Sequence, residues 1–115
     1  MSKLLPIIII FLGEVFAILA EITSAKYFAL DGNNFLKGFL RAFPVILVGA
    51  ILLVCGYMLG LKAFKNIWIV SAVSITSILI SEPVINYTIT HQLPTRGSII
   101  GLVLGIFGFL AALFL

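Results

Sequence analysis

Charge is what this chain has least of. Seven Lys and Arg and four Asp and Glu are all that its 115 residues carry, 10% of the total. A water-soluble domain devotes about a quarter of its residues to charge, because water must solvate its surface. With 63% apolar residues and a mean hydropathy of +1.32, this chain is expected to have lipid as its solvent. The net charge of +3 is too small and too scattered for a nucleic-acid footprint, so no nucleic-acid partner is expected.

Cysteine and histidine are nearly missing as well. Cys55 is the single cysteine, which excludes an intramolecular disulfide and, alone, a thiolate metal site. It falls inside an apolar run and reads as a small packing residue. His91 is the single histidine, it lies in a polar link, and no further ligands stand near it in sequence. Neither a metal nor another cofactor is expected. No pairing of a nucleophile with a base points to an enzyme. No polar stretch is long enough to form a soluble domain.

What is present is four apolar stretches, at about 4–27, 42–61, 67–89 and 98–115. Each approaches the ~20 residues that cross ~30 Å of hydrocarbon at 1.5 Å per residue. Backbone amides in lipid must be satisfied internally, so helices are the expected spanning form. The links between them are the turn cluster Asp31-Gly32-Asn33-Asn34, the basic connection Lys62 to Asn66, and the Pro94-containing turn His91 to Gly97. Links this short force neighbouring helices to run antiparallel. The expected fold is an all-α membrane protein, a single domain of four transmembrane helices in an up-down-up-down bundle, multi-pass in the inner (plasma) membrane. Met1-Ser2-Lys3 before Leu4 to Leu12 has the outline of a secretory leader. Glu14 interrupts that apolar run and three equally apolar stretches follow, so the first helix is expected to be retained.

Orientation is weakly specified. Lys3, Lys62 and Lys65 fall on the side of the N-terminus, and Lys26, Lys37, Arg41 and Arg96 on the other. Asymmetry in Lys and Arg normally orients a membrane protein, and three against four is almost none. The chain either inserts both ways or takes one topology from a weak bias or a partner.

Glu14 is the principal candidate for a working side chain. It falls midway along the first stretch, where an ionised carboxylate costs from ~2.5 kcal/mol upward. A carboxylate that takes up a proton or pairs with a cation there can couple the two; the structural alternative is a neutral Glu hydrogen-bonded across a helix interface. Glu21, seven residues on, shares its helical face. Glu82 precedes Pro83, which frees a carbonyl near Leu79 and invites a kink. Asn86 lies one turn beyond Glu82, and Ser71, Ser74 and Ser81 add hydroxyls to the same stretch. The third helix therefore reads as the lining of a polar interior, although serines also serve in membranes as small packing residues. Trp68, Tyr57 and Tyr87 lie at depths where aromatics anchor helices to the interface. The fourth stretch carries Gly101, Gly105 and Gly108 and no charge beyond Ile99, the pattern of a close-packing or dimerisation face.

Three segments together resemble one transporter lineage. Gly13-Glu14-Val15 resembles the acidic first-helix motif of the small multidrug resistance proteins, four-helix members of the drug/metabolite transporter superfamily. Gln92-Leu93, then Ile99-Ile100-Gly101 and Gly108, resembles their last turn and glycine-bearing fourth helix. Glu82-Pro83-Val84 resembles an element of the larger EamA-type repeats. The resemblance spans the chain and implies an antiparallel homodimer exchanging protons for cationic substrates through Glu14. Ser71 and Ser74 stand where drug exporters carry aromatic residues, and Glu21 and Glu82 are additional carboxylates. The expected substrate is therefore a small hydrophilic or polyvalent cation or metabolite rather than a polyaromatic drug. The competing expectations are a non-catalytic membrane subunit and a component of a lipid-linked sugar flippase, whose small members usually lack the central glutamate.

Overall fold

A computed structural model describes residues 3–115, the side chain of Leu113 apart. Met1 and Ser2, which open the leader-like segment, lie outside the described residues. The chain forms four helices: α1 (Leu4–Ala25), α2 (Phe35–Phe64), α3 (Ile67–Thr90) and α4 (Arg96–Phe114). A π-helical turn, Lys26–Leu30, continues α1. Among the described residues there is no β-strand.

Local chemistry sets the helix starts. Asn34 caps α2: its Oδ1 accepts from Leu36 N–H at 2.8 Å and Lys37 N–H at 3.3 Å, satisfying amides that otherwise lack partners. The helix therefore begins at Phe35 rather than at Ala42, taking Lys37 and Arg41 into its first two turns. Asn66 caps α3 through Trp68 N–H, and Thr95 caps α4 through Ser98 N–H, so α4 starts at Arg96 rather than Ser98. Lys65 and His91 end α2 and α3 in the left-handed region, at φ 58° and 56°. Pro83 does not end α3, which continues to Thr90.

α2 turns small residues inward, α1 and α3 bury the larger Ile10, Ile18 and Val70, and many large side chains face outward. All four buried residues of α2 are glycines: Gly38, Gly49, Gly56 and Gly60. A Cβ at Gly49 would stand 3.0 Å from Gly13 O and 3.1 Å from Ala17 N, so two backbones meet there. Gly56 faces Ile10, Gly60 faces Pro6 and Val70, and Gly38 faces Tyr27. Positions late in one helix thus meet positions early in the other, and α1 and α2 run antiparallel. Leu47, Ile51, Val54, Met58, Trp68 and Ile80 point outward and are exposed. Lipid is as apolar as leucine, so close van der Waals approach, rather than burial of large side chains, holds such helices together. Cys55 is exposed, so it does not fill an interior packing position.

The helices form a flat row with Cα extents of 46 × 34 × 17 Å. α1 lies against both α2 and α3, and α4 rests chiefly on α3 at one edge. α2 also touches α3, where Gly60 meets Val70. Three helical spans, Leu4–Leu30, Phe35–Phe64 and Ile67–Thr90, are long and apolar enough to cross a membrane. The fourth helix is apolar but shorter, 19 residues or about 28 Å.

Candidate functional site

The site begins with glutamate in an otherwise apolar helix. Glu14 is buried, 9% exposed, on the face of α1 that meets α3. Ser74, 6% exposed, donates its hydroxyl to Glu14 Oε1 at 2.5 Å. Among the described residues this is the carboxylate's only hydrogen bond, and no Lys or Arg pairs with it. A hydroxyl donated to a carboxylate is a short, charge-assisted bond, yet it brings no neutralising charge. The arrangement can hold a proton or a cation on Glu14 while Ser74 fixes its orientation.

Ser74 belongs to a row. Ser74, Ser77 and Ser81 follow one another at helical spacing and are all buried. Ser77 returns its hydroxyl to Val73 O at 2.9 Å, whereas Ser81 Oγ has no hydrogen-bond partner among the described residues. Sequence reasoning singled out Ser74 and Ser81 but passed over Ser77, which the three- and four-residue spacing would have supplied. Ser71 is half-buried and makes no hydrogen bond among the described residues.

Glu21 is exposed on α1, and the charges of Glu82 and Glu14 both act on it. Glu14 and Glu21 share one face of α1, seven residues apart. Glu82 is half-buried and lines a cleft of about 600 Å³ between α3 and α4. Asn86, Tyr87, Thr90 and Ser98 share that lining with Leu79 and Gly101. The structure thus brings Glu14 and Ser74 into contact, and places Glu82 and Asn86 in a separate cleft behind α3. No group of three or more His, Cys, Asp or Glu is arranged to hold a metal ion among the described residues.

The glycines of α4 divide. Gly105 takes Leu79 of α3 against it, with a Cβ there 3.2 Å from Leu79 Cδ2. Gly101 and Gly108 meet nothing within 4 Å. The glycines that do bring helices together are Gly13, Gly49, Gly56 and Gly60, which the sequence reading left unassigned. Their signal was the small residues recurring seven and four apart along α2.

At the other end of α1, the Arg41 guanidinium lies 4.8 Å from the Tyr27 ring centre, beside Gly38. His91 sits edge-on to Tyr87, ring centres 6.1 Å apart, and is exposed. Trp68 is 80% exposed and Tyr87 51%, so both rings face outward.

No family model matches the chain, and comparison with curated proteins and with solved structures gives no match either.

Proposed function

We propose that this chain is a proton-coupled membrane transporter of small cationic or metabolite-like substrates, acting as a dimer around Glu14. The observation that carries this reading is Glu14 itself, buried on α1, hydrogen-bonded by Ser74 and, among the described residues, in no ion pair with Lys or Arg. Hydrocarbon penalises an ionised, unpaired carboxylate, so Glu14 favours states in which it holds a proton or a cation. Competition between the two for one carboxylate couples their movements. Glu21, on the same face of α1, and Glu82, in the cleft behind α3, add negative potential that draws cations towards the protein.

In this reading all four helices cross the plasma (inner) membrane, in alternating directions. The flat row encloses no polar pathway alone, so a second copy completes the cavity. Gly101 and Gly108, open in the single chain, provide a close-approach face for it. The near-balanced Lys and Arg tally suits an antiparallel pair, which brings two Glu14 residues to one midplane site offered alternately to each side. The same open face on α4 also supports a second reading, in which the chain is a non-catalytic subunit of another membrane protein.

A thermal-shift screen of the purified protein against inorganic, alkylammonium and polyamine cations tests the proposal. Stabilisation by a cation that weakens as pH falls is the expected result, since protons then compete for Glu14. A library without any stabilising cation, alongside co-purification of a stoichiometric partner, would favour the subunit reading.

A further inference from the structure

Leu79 of α3 rests against Gly105 of α4, and the two helices stand apart from there to the 92–95 link. Gly101, one turn nearer that link, meets nothing within 4 Å. The cleft left between the helices has a volume of about 600 Å³, inside the range of about 300–1,000 Å³ that small-molecule sites occupy. It follows α3 from Leu79 to Thr90, about 16 Å of helical rise.

Glu82, Asn86 and Thr90 recur every four residues, so one ridge of α3 lines the cleft. Thr90 donates its hydroxyl to Asn86 O at 2.6 Å, and the Thr95 and Ser98 hydroxyls bond each other at 2.9 Å. Glu82, Asn86, Tyr87 and Gln92 have no side-chain hydrogen bond or ion pair among the described residues. Among those residues no Lys, Arg or His lines the cleft, and Glu82 is its one charged side chain.

An unpaired carboxylate in an apolar bundle calls for a positive charge, which neither an acyl chain nor an apolar helix brings. One carboxylate holds one charge. A second positive charge would meet the first turn of α4, where Thr95 caps the helix and its amide ends are themselves positive. Asn86 stands one turn beyond Glu82, about 6 Å of rise, and offers a carbonyl oxygen. A primary ammonium has three N–H donors for these two acceptors, and a quaternary ammonium has none.

We propose that the α3–α4 cleft binds a singly charged primary organic ammonium ion. Its ammonium group sits on Glu82 and Asn86, its apolar body lies against Leu79 and Leu102, and a hydroxyl or carbonyl group reaches Gln92. This site is separate from Glu14 and needs no proton exchange there, since neither Glu14 nor Ser74 lines the cleft.

Tyramine, which has a primary ammonium, an apolar ring and a hydroxyl, is the probe. Calorimetric titrations in detergent, with empty micelles as the baseline, are run on the E14Q protein so that the Glu14 site makes no contribution. Tyramine is expected to bind E14Q, and to bind about tenfold or more weakly once E82Q is added, as when a charged hydrogen-bond partner is lost. Adding G101L, which places a side chain in the cleft but keeps Glu82, should weaken binding as well. Adding G108L, outside the cleft lining, should not, which separates filling of the cleft from any effect on self-association. The N-trimethylated compound and putrescine should bind E14Q more weakly than tyramine, and equal binding of either would overturn the ligand class. Equal tyramine binding with and without E82Q, in folded protein, would overturn the site. Binding to wild type but not to E14Q would place the amine at Glu14, overturning the cleft site and leaving the transporter reading intact.

Discussion

The Ser74 hydroxyl reaches Glu14 Oε1 at 2.5 Å across the α1–α3 interface, with both side chains buried. That contact joins helices that are not neighbours in sequence and, among the described residues, places the sole hydrogen bond to Glu14 on α3. Anything that moves α3 against α1 therefore changes how Glu14 is held.

Replacing Ser74 with Ala should lower stability modestly, by about 0.5–2 kcal/mol, the range for hydrogen bonds between membrane helices. It should also leave cation binding in place while changing its pH dependence, because Glu14 remains but loses its orienting donor. Unfolding in mixed micelles and cation titrations over pH check both parts. A stability loss with an unchanged pH profile would make Ser74 a packing residue only.

Gly49→Ala should destabilise the α1–α2 pair by about 1–3 kcal/mol, as overpacking does where backbone cannot yield. Its new Cβ would meet Gly13 O and Ala17 N, neither of which can rotate away. Gly101→Ala, with nothing within 4 Å, should leave the single chain unaffected. Comparing the two variants by unfolding in detergent tests whether the seam lies where the α2 glycines place it.

Much of this architecture was legible in the sequence, and its limits have physical causes. Four apolar stretches gave four helices because amides in an apolar chain must bond within each segment. Glu14 stood out because a carboxylate among Ile, Leu and Phe has no cheap explanation. The start of α2 was hidden because Lys37 and Arg41 look like a link, while Asn34 carries the stronger signal as a cap. The partnership of Glu14 with Ser74 was hidden because the register between two helices is fixed by the seam they share with α2. That seam depends on glycines, and glycine signals close approach without naming its partner. Attention therefore went to the glycines of α4, where Gly101 and Gly108 meet nothing in the single chain.

Substituting Leu at both Gly101 and Gly108 should weaken self-association; Gly101 lines the α3–α4 cleft, so Gly108→Leu alone separates the two effects. Gly105 is a poorer site for this test, because Leu79 already occupies the space beside it. Crosslinking and size-exclusion chromatography in mild detergent read the result. A dimer of wild-type strength in the double variant would put the contact on another face.

Both orientations of the chain should occur in cells. With the exposed Cys55 removed and a reporter cysteine at Asn33, in the exposed α1–α2 link, impermeant maleimide should label part of the population from each side. Labelling from one side alone would fix the topology and replace the antiparallel dimer with a parallel or mixed assembly.

Proton release on cation binding tests the role of Glu14 most directly. The purified protein, in weak buffer with a pH-sensitive dye, is mixed with the cation that stabilises it best, and the protons released are counted in wild type and E14Q. The expected result is measurable release from wild type and none from E14Q, with E14Q still folded. Equal release from both proteins would contradict the assignment of Glu14 as the coupling group.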